Sequence, residues 1–301
     1  MKRSVLITGI DGFTGRYLAS RLATKGYAVH GIVRAKGDGV GIEGVDAIYQ
    51  CDLLDTEGIR TIFAQVQPHK VVHLAAIAFV AHGDLNEMYR TNILGTRSIL
   101  EACSQPKFMP TSLLLASSAN VYGNASAGVL DENTSVSPAN DYGVSKAAAE
   151  QLARIYGDRL PIILTRPFNY TGVGQSDAFV IPKIISHLKR RAPVIELGNL
   201  DVARDISDVR AIVGAYEKLL EAPDAIGQTF NVCSGKASTL RDILDMAMAI
   251  ADHTMEVRLN PDFVRANEVR MLCGSKAKIE SIVGPITHPP LNETLRWMIE
   301  T

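Results

Sequence analysis

Tyr142 and Lys146 stand one helical turn apart in Tyr142-Gly143-Val144-Ser145-Lys146, so a helix there presents a phenol and an ammonium on one face. A tyrosine hydroxyl is a poor acid or base at neutral pH, with a reference pKa of about 10. A neighbouring ammonium favours the phenolate and draws that value toward the working range. Ser117-Ser118 supplies a hydroxyl to orient and polarise a carbonyl. Each residue alone is more often structural. Together they point to proton transfer coupled to hydride transfer at a carbonyl carbon.

These groups need a scaffold that also holds a hydride donor, and the first half of the chain has its rhythm. Short Val/Ile/Leu-rich runs at 4–8, 27–33, 47–51, 70–74 and 112–116 read as buried strands, with a sixth at 161–166. Helical spacing of apolar residues falls between them at 13–25, 56–66 and 86–104. This alternation predicts an α/β fold with a doubly wound parallel sheet. Ser118 then lies at the C-terminal end of the fifth strand, where such sheets bind ligands. The first strand runs into Gly9-Ile10-Asp11-Gly12-Phe13-Thr14-Gly15, a GxxGxxG turn opening a helix. Glycines there permit a tight turn and close approach to a pyrophosphate, which sits on the helix N-terminus.

The residue ending the second strand selects the dinucleotide: a carboxylate for the ribose 2′-hydroxyl of NAD, an Arg for the 2′-phosphate of NADP. This strand ends in Val33-Arg34 with no carboxylate beside it, so NADP(H) is expected, with NAD(H) as the alternative. Asp52, after the third strand, is placed to accept from the adenine amino group.

After Asn169 the elements shorten. Helices are expected at 179–191, 209–221, 240–251 and 292–300, with strands near 194–197, 229–232 and 256–259. They suggest a Rossmann domain over 1–168 and a smaller, interleaved α/β substrate lobe over 169–301, one compact unit with a cleft.

Composition excludes several classes. Of 301 residues, 47 % are hydrophobic and 21 % charged, with 31 basic against 32 acidic, so neither nucleic acid nor an anionic membrane is expected as partner. No apolar run reaches the ~18 residues of a membrane span, and the N-terminal run is too short for a signal peptide. The four cysteines are scattered without a CxxC pair, suggesting reduced thiols in the cytoplasm and no metal site.

Over nearly its whole length the chain resembles the extended short-chain dehydrogenase/reductases acting on nucleotide sugars. The resemblance rests on Thr8–Gly15, His73-Leu74-Ala75-Ala76, Ser117–Gly123, Tyr142–Lys146 and Arg166-Pro167-Phe168-Asn169. It implies that Tyr142 is the acid/base, that Lys146 binds the nicotinamide ribose, and that Ser118 holds the substrate oxygen. Leu53, Leu74, Ala75 and Ala76 join Gly9, Asp11, Gly12, Phe13, Thr14, Gly15, Arg34 and Asp52 around the dinucleotide. Asn169, Val180, Asn199, Arg204, Arg265 and Glu268 fall where relatives contact the nucleotide-diphosphate sugar. A homodimer through the helices at 86–104 and 145–156 is implied as well.

Within that family, dehydratases carry acidic residues just after the catalytic Ser/Thr, where this chain has Ala119-Asn120. The 3,5-epimerase-reductases use a cysteine in this region, and none is present. A 4-epimerase with tightly bound NAD and a 4-keto reductase using NADPH remain, and Arg34 favours the reductase. Leu197–Asp205 resembles the GNLDxxRD segment of the GDP-mannose branch, and Asn231–Gly235 and 265–269 resemble the reductases of that branch. The resemblance therefore implies reduction of GDP-4-keto-6-deoxymannose to GDP-D-rhamnose or its C4 epimer GDP-6-deoxytalose. Tyr170 and Ala266 depart from the usual His and Pro of those reductases and bear on substrate fit. A non-catalytic NADP sensor would have no use for the Ser118–Tyr142–Lys146 set.

Overall fold

In the computed structural model, residues 3–35, 41–78, 83–124, 128–263 and 270–301 are described. Five strands of the first half, β1 (Ser4–Thr8), β2 (Ala28–Val33), β3 (Ala47–Gln50), β4 (Lys70–His73) and β5 (Ser112–Ala116), are joined by β6 (Ile162–Pro167) and β7 (Thr229–Val232). They form one parallel sheet in the order β3-β2-β1-β4-β5-β6-β7. The order reverses between β1 and β4, which opens a ligand crevice beyond their C-terminal ends.

Alternation along each strand feeds two cores. Val5 and Ile7 of β1 face α1 (Phe13–Thr24) and the helix Val209–Glu221, through Leu18, Leu22, Ile212 and Tyr216. Leu6, Leu113 and Leu115 face the opposite way, onto α2 (Thr56–Val66), α3 (85–103) and α4 (Asp141–Tyr156), through Ile59, Phe63, Leu100 and Ala153. Both faces are covered, so the strands carry apolar residues continuously.

Three elements differ from their sequence reading. The strand at 229–232, expected among the short strands of the second half, is instead the edge of the main sheet, paired with β6 from Thr229↔Leu164 to Val232↔Pro167. A four-residue apolar strand has no periodicity that names its partner; the crossover through Val209–Glu221 does. α4 begins at Asp141, so it includes Tyr142 as the Tyr142–Lys146 spacing expects but starts before the 145 expected of the dimer helix; Asn140 caps it by accepting from the Gly143 amide at 2.8 Å. α3 is one run whose middle, Arg90–Gly95, is π-helical. That widened turn carries buried Asn92, whose amide donates to Ser145 Oγ at 3.0 Å and ties α3 to α4.

The remaining chain packs a separate core of Ile184, Leu188, Ile195, Leu197, Leu244 and Leu295. Here the helices Val180–Lys189, Leu240–Ala251 and Leu291–Glu300 meet the strand pair Val194–Leu197 and Glu256–Leu259. A second small sheet joins Asn169–Thr171 to Ala203–Asp208, placing Asn169 opposite Ile206. No helix among the described residues is long and apolar enough to cross a membrane.

Candidate active site

The phosphate loop is built by close approach. Gly9 leaves β1 at φ +67°, a conformation side chains resist, and a Cβ there would meet Ala75 Cα at 2.9 Å. A Cβ on Gly15 would meet the Gly9 carbonyl at 2.3 Å. Gly12 caps α1 with no side-chain acceptor, and the first turn holds no acidic residue. The helix N-terminus is thus left to an anion, and the loop fits a dinucleotide pyrophosphate. Asp11 turns its carbonyl back to Arg16 Nε at 2.8 Å. Leu74, Ala75 and Ala76 are half-buried beside the loop, with Ala75 N donating to Thr8 Oγ1 at 3.2 Å.

Phe13 and Thr14 are both engaged by Tyr170, whose ring stacks on Phe13 (centroids 6.0 Å, planes 12° apart) and whose hydroxyl shares a 2.8 Å hydrogen bond with Thr14 Oγ1. In the sequence Tyr170 is only a departure from the usual His; its role as a bridge between the phosphate loop and the strand of Asn169 is tertiary.

Arg34 lies just past β2, as expected, yet it is ion-paired with Glu87 of α3. The expectation of an arginine without an acidic neighbour is corrected: the carboxylate comes from another element, invisible to a reading of the strand end. Arg34 remains largely exposed and can exchange Glu87 for a phosphate. Asp52 accepts from the Leu54 amide at 2.9 Å, and Leu53 is buried beneath it.

At the end of β5, Ser118, Tyr142 and Lys146 come together. Gly143 makes this approach possible, since a Cβ there would sit 2.7 Å from the Asn120 carbonyl. Ser118 Oγ accepts from both the Asn120 amide and Asn120 Nδ2, each at 3.1 Å. A hydroxyl has two lone pairs and one proton, so with both bonds from Asn120 accepted, the Ser118 proton remains to be turned toward the neighbouring Tyr142 or a substrate oxygen. Burial holds the Tyr142 phenol above its ordinary value, with Tyr170 acting in the same direction and Ser118 against it. The expectation that Lys146 draws Tyr142 down is thus corrected for the protein by itself: the cost of burying a phenolate exceeds the favourable contacts.

Lys146 is buried too, which pushes its ammonium down to about 8 against an opposing Glu150. Its Nζ donates to the Ala116 carbonyl at 2.6 Å. Glu150, which the sequence reading missed, is one further turn along α4. It accepts Ser117 Oγ at 2.6 Å and pairs with Arg166 through 2.9 and 2.7 Å hydrogen bonds. The repeat Tyr142, Lys146, Glu150 was present at intervals of four, but its third member required knowing which β6 residue it meets.

The substrate positions are placed less tightly. Asn169 is exposed, and Arg204, half-buried, lies on the strand paired with that of Asn169 and donates to the Ala203 carbonyl at 2.9 Å. Val180 opens its helix with 42 % exposure. Asn199 spends its side-chain oxygen on the Asp201 amide at 3.0 Å, leaving its amide group for another partner. Arg265 and Glu268, with Ala266, lie outside the described residues. Phe263, just before them, packs on Gly198, where a Cβ would come within 2.7 Å of its carbonyl.

A GDP-6-deoxy-D-mannose reductase from Pseudomonas aeruginosa is 31 % identical, over 99 % of this chain and 97 % of the relative. Among solved structures, a Burkholderia cenocepacia protein provisionally named an epimerase superposes at TM-score 0.93 with 49 % identity, covering 99 % of this chain and 97 % of that one. The structure of RMD from Pseudomonas aeruginosa complexed with NADPH superposes at 0.85 with 29 % identity, over 100 % and 97 %. The sequence pattern of the GDP-mannose 4,6 dehydratase family runs through residues 6–297, and the chain belongs to that family.

Proposed function

We propose that this protein reduces the 4-keto group of a GDP-linked 4-keto-6-deoxyhexose with NADPH, giving GDP-D-rhamnose or GDP-6-deoxytalose. The observation that carries the reading is the closed set of Ser118, Tyr142 and Lys146 at the end of β5, followed by Ala119-Asn120. Neither of those two residues exchanges a proton, so neither assists removal of water from the sugar. The reductase likeness and the NADPH-bound neighbour support the same choice.

Bound NADPH supplies the hydride to the carbonyl carbon. Ser118 keeps its oxygen fixed by Asn120 and turns its proton toward the substrate oxygen. Tyr142, protonated at rest because its burial disfavours the phenolate, delivers a proton to that oxygen as charge develops. The Lys146 ammonium, held at the Ala116 carbonyl, offsets the resulting phenolate. Gly9, Gly12 and Gly15 would hold the pyrophosphate, and Arg34 the 2′-phosphate once it leaves Glu87. Asn169, Arg204, Asn199 and Val180, with Arg265 and Glu268, are assigned to the nucleotide-diphosphate sugar.

A 4-epimerase uses the same three groups, and the 49 % identical neighbour bears an epimerase name. The state of the cofactor separates the two. The reductase exchanges NADPH freely and leaves purification without stoichiometric dinucleotide. The epimerase retains NAD and interconverts sugars with no net use of NADPH. Tightly held NAD released only on denaturation contradicts the reductase.

A homodimer through α3 and α4 belongs to this reading, because Leu94, Val144 and Ile155 remain exposed at 46, 41 and 68 % on those helices. Sedimentation at micromolar concentration gives a dimer if this holds and a monomer if it does not. Four buried free cysteines accord with a reducing compartment such as the cytoplasm.

A further inference from the structure

Three successive turns of α4 each grip a different residue of the chain leaving β5. Tyr142 lies beside Ser118, Lys146 Nζ donates to the Ala116 carbonyl at 2.6 Å, and Glu150 Oε1 accepts from Ser117 Oγ at 2.6 Å. Glu150 is 1 % exposed, and Arg166 of β6, 2 % exposed, clasps it with two hydrogen bonds. Arg166 continues to the Tyr122 hydroxyl at 3.1 Å, which donates to Asn231 of β7 at 2.6 Å. The carboxylate is therefore anchored to the sheet by groups that take no part in proton transfer.

We propose that Glu150 is a positioning residue, which balances the charge of Lys146 and fixes the Ser117–Ser118 segment against Tyr142. The inference rests on Ser118, Tyr142 and Lys146 being the reacting set. Among the described residues no carboxylate is in hydrogen-bond contact with Lys146; its ammonium reaches a backbone carbonyl. From β4, His73 faces it and is held neutral, its imidazole lowered to about 3 by burial and by Lys146 itself. Tyr142 on its own helix is held protonated by burial. Glu150 is the group that raises Lys146 against its burial, and its other cationic neighbours are Arg166 and, at 3.8 Å, Arg154. A buried ammonium without a compensating charge gives up its proton.

The test needs no sugar. [ε-13C]Lysine is incorporated, and the Lys146 resonance, identified by its loss in Lys146→Met, is titrated by NMR. In Glu150→Gln its midpoint falls by about one pH unit or more, the scale of removing a nearby opposite charge. Glu150→Asp restores most of the shift, and Ser117→Ala, which deletes only a hydrogen bond to the carboxylate, leaves the midpoint in place. Glu150→Gln strands a buried arginine, so Glu150→Gln/Arg166→Gln is prepared alongside; removing both charges together is better tolerated, and a smaller fall in the same direction is expected, because the Arg166 cation leaves with the carboxylate. A wild-type midpoint in a folded Gln variant, or an equal fall in Ser117→Ala, overturns the proposal. Failure to turn over any GDP-sugar with these midpoints shifted as expected would instead count against the functional reading.

Discussion

Thr14 of the phosphate loop and Tyr170 of the substrate-side strand share a 2.8 Å hydrogen bond, while the Tyr170 ring lies flat on Phe13. The loop that receives a pyrophosphate is thereby fastened to the residue following Asn169. Tyr170→Phe keeps the stack and loses the hydrogen bond, about 1 kcal/mol. NADPH affinity measured by fluorescence should fall a few-fold. Tyr170→Ala also removes the aromatic packing and should lower stability by about 3–5 kcal/mol in urea unfolding.

Arg34 is ion-paired with Glu87, and in the proposed reading an incoming 2′-phosphate takes the place of that carboxylate. Arg34→Ala should weaken NADPH about tenfold or more and leave NADH unchanged, since a charge-assisted hydrogen bond is worth about 1.5–3 kcal/mol. Glu87→Gln removes the competitor, and NADPH should bind more tightly. Equal losses for both dinucleotides in Arg34→Ala would place the 2′-phosphate elsewhere.

His73 bridges Thr8 Oγ1 at 2.7 Å and Thr96 Oγ1 at 3.0 Å, and burial lowers its imidazole from the ordinary 6.5 to about 3. Between those values the unfolded chain binds a proton that the folded protein refuses. Folding stability from this group is fully present above pH ~6.5 and is lost on acidification, at up to about 1.4 kcal/mol per pH unit. Urea unfolding at pH 7.5 and 5.5 should show a steeper loss for wild type than for His73→Gln. Identical slopes would contradict this assignment.

Gly143 lets α4 sit against the turn after Ser118, with space for a hydrogen but not a methyl group beside the Asn120 carbonyl. Gly143→Ala should therefore reduce kcat by an order of magnitude or more, as a misplaced reacting group does, while NADPH binding changes little. Unaltered kcat would mean that the Ser118–Tyr142 contact tolerates a shifted helix.

What the sequence disclosed is what is local. The glycine loop, the strand before it and the Tyr142–Lys146 spacing are each decided by a few adjacent residues, and the structure places all of them at the C-terminal edge of the sheet. Glu150 against Ser117, Arg34 against Glu87 and Thr14 against Tyr170 join residues 33, 53 and 156 positions apart. No periodicity encodes such pairs. The bounds of the strand Thr229–Val232 were legible, but its place in the main sheet was not, because β6 sets it. The ionisation of Tyr142 was legible only in part, because spacing shows a neighbouring ammonium but not the burial that outweighs it.

The most direct measurement follows the absorbance of NADPH when purified protein meets GDP-4-keto-6-deoxymannose. The account predicts one NADPH oxidised per sugar, with kcat falling about 10²–10⁴-fold in Tyr142→Phe, and NMR of the product fixing the C4 configuration. No oxidation of NADPH by this sugar, or undiminished turnover by Tyr142→Phe, would contradict it.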